Sequence, residues 1–176
     1  YLDYRMRNVS FLNDGKEILF RSERNGWGHY YLYDTATGNL KNQVTDGTWV
    51  AGPIAKIDTV RRKIYFYGYG REKEIDPYYY ILYEAQLDRS NTLRLLTSEN
   101  ASHEVSISPS CRYLVDSYST VSQEPVNVVR NRNGKIIMTL EKPDLQPVYE
   151  MGWKAPERFK VKAADGVPDL YGVMWK

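Results

Sequence analysis

Side chains able to shuttle a proton, hold a metal or attack a carbonyl are sparse in this sequence. It has two histidines, His29 and His103, and one cysteine, Cys111. His103 stands beside Glu104, half of a metal pair, but zinc takes about four ligands, or three with one open position. The other histidine lies 74 residues away, so the sequence assembles no metal site, and no cofactor motif accompanies it. Cys111 has no histidine nearby in sequence to make it a thiolate and reads as a turn residue. Three carboxylates, Glu72, Glu74 and Asp76, alternate with Arg71 and Lys73 between Gly70 and Pro77. In a dry pocket such carboxylates do acid–base chemistry. On a glycine-bounded loop they are solvated, or they contact a second subunit or a neighbouring domain. Arg5 and Arg7 alternate with Tyr4 and Met6. Their guanidinium donors suit peptide carbonyls and equally suit the flank of an edge strand; both readings stand. Trp27 and His29 either line an inner face or serve structurally. In the structural reading Trp27 fills a gap between units and His29 satisfies backbone groups at a strand start.

The elements that must position these residues are strands, and they repeat. Val9-Ser10-Phe11-Leu12-Asn13-Asp14-Gly15-Lys16-Glu17-Ile18-Leu19 returns 96 residues later as Val105-Ser106-Ile107-Ser108-Pro109-Ser110-Cys111-Arg112-Tyr113-Leu114-Val115. A weaker copy lies between them, where Ile54-Ala55-Lys56 precedes a turn and Arg62–Tyr67. The period is about half that spacing, the length of one four-stranded propeller blade. Expected strands in the first unit are Arg7–Phe11, Glu17–Ser22, His29–Asp34 and Leu40–Thr45, joined by turns at Asp14-Gly15, Asn25-Gly26 and Gly38-Asn39. The second unit runs from Gly47–Val50 through Lys63–Tyr67, Tyr78–Leu87 and Thr92–Leu96, with residues 68–77 as a projecting loop. The third extends from His103 to about Thr139, with Ser119–Glu124 as a polar loop. Glu141–Pro147 reads as a linker. Pro156–Gly166 and Asp169–Lys176 then read as two strand candidates across a turn, out of register with the blades.

The aromatic content of 14% suits pleated, half-buried surfaces and argues for an all-β chain. A formal charge of +2 from 24 basic and 22 acidic residues argues against nucleic acid as a partner, because phosphate binding needs a concentrated basic surface. Arg61-Arg62-Lys63 is the nearest approach to one and reads as a solvated turn. No run of about 18 apolar residues is available to cross a membrane as a helix. The chain begins without Met and both ends break off within pattern, so a longer parent protein is expected, with any targeting signal upstream.

Two stretches carry a family resemblance. Arg21–Asp34, with its Asn25-Gly26-Trp27-Gly28-His29-Tyr30-Tyr31 centre, and Val44–Trp49 resemble blade motifs of the dipeptidyl peptidase IV N-terminal region. The tail Phe159–Trp175, with Asp165-Gly166 and Asp169-Leu170-Tyr171-Gly172, is similar to the segment by which these propellers enter an α/β-hydrolase domain. The resemblance implies a serine peptidase of the prolyl oligopeptidase family, removing dipeptides from free N-termini. Its propeller would cap the catalytic domain and control access, in a periplasmic or other extracytoplasmic compartment. Trp27, His29 and Trp49 then belong to the structural blade motif.

Two departures qualify what carries over. No Gly-x-Ser-x-Gly elbow and no Glu-Glu pair occur in the chain, so neither the family's nucleophile nor its amine-holding site is present, and no residue is assigned as catalytic. The expected architecture is a partial β-propeller of about three four-stranded blades over 1–147, then a linker and the first strands of the hydrolase domain over 148–176. The expected partners are peptide substrate in the parent, its own hydrolase domain and a second copy. Unpaired blade edges would drive that self-association, and a strictly monomeric particle at all concentrations would count against it. The alternative is a non-enzymatic propeller that binds proteins or glycans.

Overall fold

Asn13, Asp14 and Gly15 all take left-handed backbone angles, with φ of 52°, 54° and 81°. This reverses the chain so that β1 (Val9–Leu12) pairs antiparallel with β2 (Glu17–Ser22). The turns of the later repeats do the same at Arg62 (φ 56°) and Cys111 (φ 54°). Cys111 thus occupies the position that Gly15 fills at lower steric cost in the first repeat.

The computed structural model describes residues 8–90 and 92–175, and Arg5 and Arg7 lie outside them. Three four-stranded antiparallel meanders follow in order. Blade I is β1, β2, β3 (His29–Asp34) and β4 (Leu40–Gln43); blade II is β5 (Val50–Asp58), β6 (Lys63–Tyr69), β7 (Ile81–Gln86) and β8 (Arg94–Leu95). Blade III is β9 (Ser102–Ile107), β10 (Tyr113–Thr120), β11 (Gln123–Asn131) and β12 (Ile136–Glu141). A short helix, α1 (Gln146–Glu150), leads to a separate two-stranded sheet of β13 (Glu157–Lys162) and β14 (Asp169–Met174). Among the described residues the chain is nearly all β, an open array of blades with no closed barrel.

Blade II shows why such units stack. Side chains alternate across a strand, so Ile64 and Phe66 of β6, with Ile81 and Tyr83 of β7, join Leu19, Tyr30, Leu32 and Val44 of blade I in one core cluster. The intervening Tyr65 and Leu82 join Val105, Cys111 and Leu114 of blade III in another. A blade buries its faces only against its neighbours, and the outermost faces show the converse. Phe11 on blade I is 68% exposed, and every residue of β12 on blade III is solvent-accessible.

Several sequence expectations need correction. Ser119–Glu124 is no loop: β10 runs to Thr120 and β11 starts at Gln123, with Thr120 pairing Gln123 across a two-residue turn after a bulge. Tyr78–Tyr80 do not open a strand. The Asp76 carboxylate accepts the Tyr78 N–H and the Asp76 carbonyl accepts the Tyr79 N–H, so β7 begins only at Ile81. The first strand of blade II starts at Val50, not Gly47, and runs nine residues through two bulges.

Candidate functional site

Four constellations hold the chemistry-bearing residues. The first is the seam between blades I and II. Trp49 is buried, lies edge-on to His29 at 5.3 Å between ring centroids, and packs against Phe66 and Tyr83. Its indole N–H donates to the Asp46 carbonyl at 2.8 Å. His29 is fully buried; its Nε2 lies 2.9 Å from the Gly47 carbonyl and its Nδ1 3.1 Å from Thr45 Oγ1. A neutral ring with the proton on Nε2 fits this arrangement: Nε2–H donates to Gly47, while the Thr45 hydroxyl donates to Nδ1 and accepts from the Tyr30 N–H. Both ring nitrogens are therefore used within the blade. Trp27 departs from the expectation that it fills a gap between blades. It sits in the turn before β3 and keeps 39% of its surface exposed, its N–H held by Asn25.

Burial pushes the His29 pKa below its ordinary value, against the Gly47 carbonyl and Asp46, which pull it up. In the unfolded chain the imidazole protonates near pH 6.5; in the folded chain it does so only at lower pH. The unfolded state then binds more protons, so this contribution to stability is complete above about pH 6.5 and is lost as pH falls through the folded pKa. His29→Gln should flatten the fall in unfolding free energy between about pH 6.5 and 5 measured by urea titration. An unchanged slope would disprove the assignment.

The second constellation is inside blade III. Asp116 on β10 is fully buried; its carboxylate lies 3.0 Å from His103 Nδ1 and accepts from Arg130 Nε at 2.8 Å. Arg130 also donates to Glu99 at 2.7 Å and to the Gly134 carbonyl at 2.9 Å. Glu99, His103 and Asp116 bring their ligand atoms within 4.8 Å of one another, as a metal would require. The Arg130 guanidinium, however, already supplies the positive charge and occupies the carboxylate oxygens, so this donor set does not fit a metal ion. Burial raises the Glu99 pKa, but the bond from Arg130 and its charge bring it below the ordinary value. The sequence reading missed this network. Its one signal is that Asp116 shares a strand face with Leu114 and Tyr118, where a lone charge on an otherwise uncharged face demands a partner.

The third is the loop of residues 70–80. Of its carboxylates only Glu74 is exposed. Glu72 pairs with Arg71 and accepts the Tyr83 hydroxyl at 3.1 Å. Asp76 is buried and pairs with Arg158 on β13. Arg158 also lies over the Tyr79 ring at 4.9 Å, and Tyr78 meets Tyr171 of β14 edge-on at 5.9 Å. The loop thus meets the two-stranded sheet that follows the blades.

In the fourth, the Arg61-Arg62-Lys63 turn is not simply solvated. Arg61 pairs with Asp58, Arg62 with Glu17 and Asp88, and Lys63 with Glu84. Arg62, followed by burial acting the other way and then Lys41, holds the Glu17 carboxyl below its usual range. These cations have their charges matched by carboxylates, which leaves them poorly suited to gripping phosphates.

Residues 1–125 match the family described as the Dipeptidyl peptidase IV (DPP IV) N-terminal region. The chain belongs to this family. A curated protein of Trichophyton verrucosum (strain HKI 0517), named as a dipeptidyl peptidase 4, is 37% identical over 62 residues, or 34% of this chain and 8% of that protein. A crystal structure described as a dipeptidyl aminopeptidase IV from Bacteroides ovatus superposes with a TM-score of 0.68 at 24% identity, covering 93% of this chain and 25% of that one. The second likeness shows the fold: a propeller segment. The chain spans about a quarter of the length of that solved protein. In DPP IV N-terminal terms, Trp49 and His29 are seam residues of adjoining blades, and none of the four constellations presents an activated nucleophile.

Proposed function

We propose that this chain is the non-catalytic propeller segment of an extracytoplasmic serine dipeptidyl peptidase of the prolyl oligopeptidase family. In this reading it scaffolds a catalytic domain and gates the access of peptides to it. Membership of the DPP IV N-terminal family supports the reading. The observation that carries it is the contact between blade II and the two-stranded sheet. Asp76 and Tyr78 of the loop meet Arg158 and Tyr171, so the array is tied to a separate two-stranded sheet, which supports reading that sheet as the start of another domain. In the proposal β13 and β14 open the hydrolase domain, and the loop sets how the propeller sits over it. A rigid cap of this kind admits extended peptides and excludes folded ones.

The test begins with the reading frame beyond the codon for Lys176. It should encode a Gly-x-Ser-x-Gly elbow followed by Asp and His, and the full-length product should release dipeptides from peptides with a free N-terminus. Replacing residues 72–76 by a Gly-Ser linker in that product should change its kcat/KM for long peptides more than for dipeptide amides, because only long peptides must pass the cap. A stop codon soon after Lys176, or equal effects on both substrates, would overturn the proposal.

A further inference from the structure

A cleft of about 550 Å³ opens between the inner strands of blades II and III, β5 and β9, near the loop that meets the β13–β14 sheet. Its volume lies within the range of small-ligand sites. One wall is aromatic: the Tyr80 ring stands edge-on to Tyr67 at 6.0 Å and to Tyr69 at 5.5 Å. This wall is braced across the blades. The Tyr67 hydroxyl accepts the Val105 N–H at 2.8 Å, and the Tyr80 carbonyl accepts the His103 N–H at 3.0 Å. The other wall is polar. Glu104 pairs in register with Ser117, and Ser102 with Ser119, across β9 and β10. Pro53 and Pro125 also line the cleft.

The charge balance of this lining is one-sided. Among the described residues no lysine or arginine lines the cleft, whereas the Glu104 carboxylate does. Among the described residues neither Glu104 nor the hydroxyls of Ser102, Ser117 and Ser119 makes a side-chain hydrogen bond or ion pair within the chain. The His103 ring cannot compensate, because its nitrogens face Asp116 and the Glu99 carbonyl. A braced aromatic wall beside a free carboxylate and three free hydroxyls suits a cation. Ring faces attract it, the carboxylate neutralises it, and hydroxyl oxygens accept its N–H groups.

We infer that this cleft binds the side-chain ammonium of a lysine in an extended peptide. A lysine fits better than a free N-terminal amine because its methylene stem can lie along the tyrosine and proline surface while the charge reaches Glu104. That the ligand is a peptide rests on the peptidase reading above; that it is a cation rests on the cleft alone.

The experiment is an NMR titration of the full chain with capped peptides, so it needs no catalytic activity. Acetyl-Ala-Pro-Lys-Ala-amide should shift the amide signals of Ser102–Glu104, Tyr67 and Tyr80 saturably. It should bind about tenfold more tightly than the peptide with norleucine in place of lysine, the sum expected of one exposed ion pair and one cation–π contact. Glu104→Gln, a change at an exposed residue, should weaken the lysine peptide about threefold to fivefold and leave the norleucine peptide unchanged. Tyr80→Ala should reduce the preference for lysine by a similar factor. Equal binding of the two capped peptides, no saturable shifts, or tight binding only of an uncapped norleucine peptide would each overturn the assignment. The wild-type lysine–norleucine comparison decides the question even if a variant fails to fold. Failure here would leave the peptidase proposal standing, and a missing hydrolase domain would leave this result standing.

Discussion

Asp116→Ala should cost the fold about 3 kcal/mol, the typical penalty for removing one partner of a buried ion pair. The Asp116 carboxylate has no solvent exposure and accepts hydrogen bonds from Arg130 Nε and from His103 Nδ1–H. Without it the Arg130 guanidinium, itself 2% exposed, keeps its hydrogen bonds to Glu99 and the Gly134 carbonyl but loses the buried carboxylate, and the cost is that of a buried cation half paired. Urea unfolding read by circular dichroism would measure it. A loss below about 0.5 kcal/mol, the range of ordinary surface changes, would mean that water reaches the network. A double variant separates the two sources of the cost. Asp116→Leu with Arg130→Met removes both charges at similar volume and should recover much of the loss, because an apolar pair needs no compensation.

That network also marks where the sequence was legible and where it was not. The blades could be read because turns and strands are local events. Asp14-Gly15 between two alternating runs specifies a hairpin within ten residues, and the repeat placed Cys111 in the same left-handed position as Gly15. Likewise His29–Asp34 and Glu17–Ser22 are strands as expected. Where local preference met a local hydrogen bond, the reading failed. Tyr78–Tyr80 has the composition of a strand, but the Asp76 carboxylate and carbonyl hold the chain in a turn there. Where pairing spans the chain, composition carried little information. Asp76 and Arg158 are 82 residues apart, and nothing in the loop sequence distinguishes the carboxylate that is buried from Glu74, which is not. Arg5 and Arg7, which lie outside the described residues, gain no assignment from the fold. Trp27 and Trp49 show the same limit within one motif. Both belong to the blade motif that the resemblance implied, but among the described residues Trp49 is covered by a neighbouring blade and Trp27 is not.

That contrast sets the last prediction. Trp49→Ala should destabilise the chain by about 3–5 kcal/mol, as expected for a buried large aromatic, whereas Trp27→Ala should stay within about 0.5 kcal/mol. Trp49 contacts His29 from blade I and Phe66 and Tyr83 from blade II, so the cavity opens at the seam itself. The surrounding strands cannot collapse into it without breaking the register of β3 or β6. If the seam is the only strong link between the first two blades, weakening it should also let blade I unfold separately, and the urea dependence of unfolding would become shallower because less surface is exposed in one step. A Trp49→Ala variant that loses stability with an unchanged slope would show that the blades still unfold together through the Arg62 bonds to Glu17 and the Tyr30 hydroxyl bond to the Gly52 carbonyl. A variant as stable as Trp27→Ala would show that the aromatic seam does not hold the blades together at all.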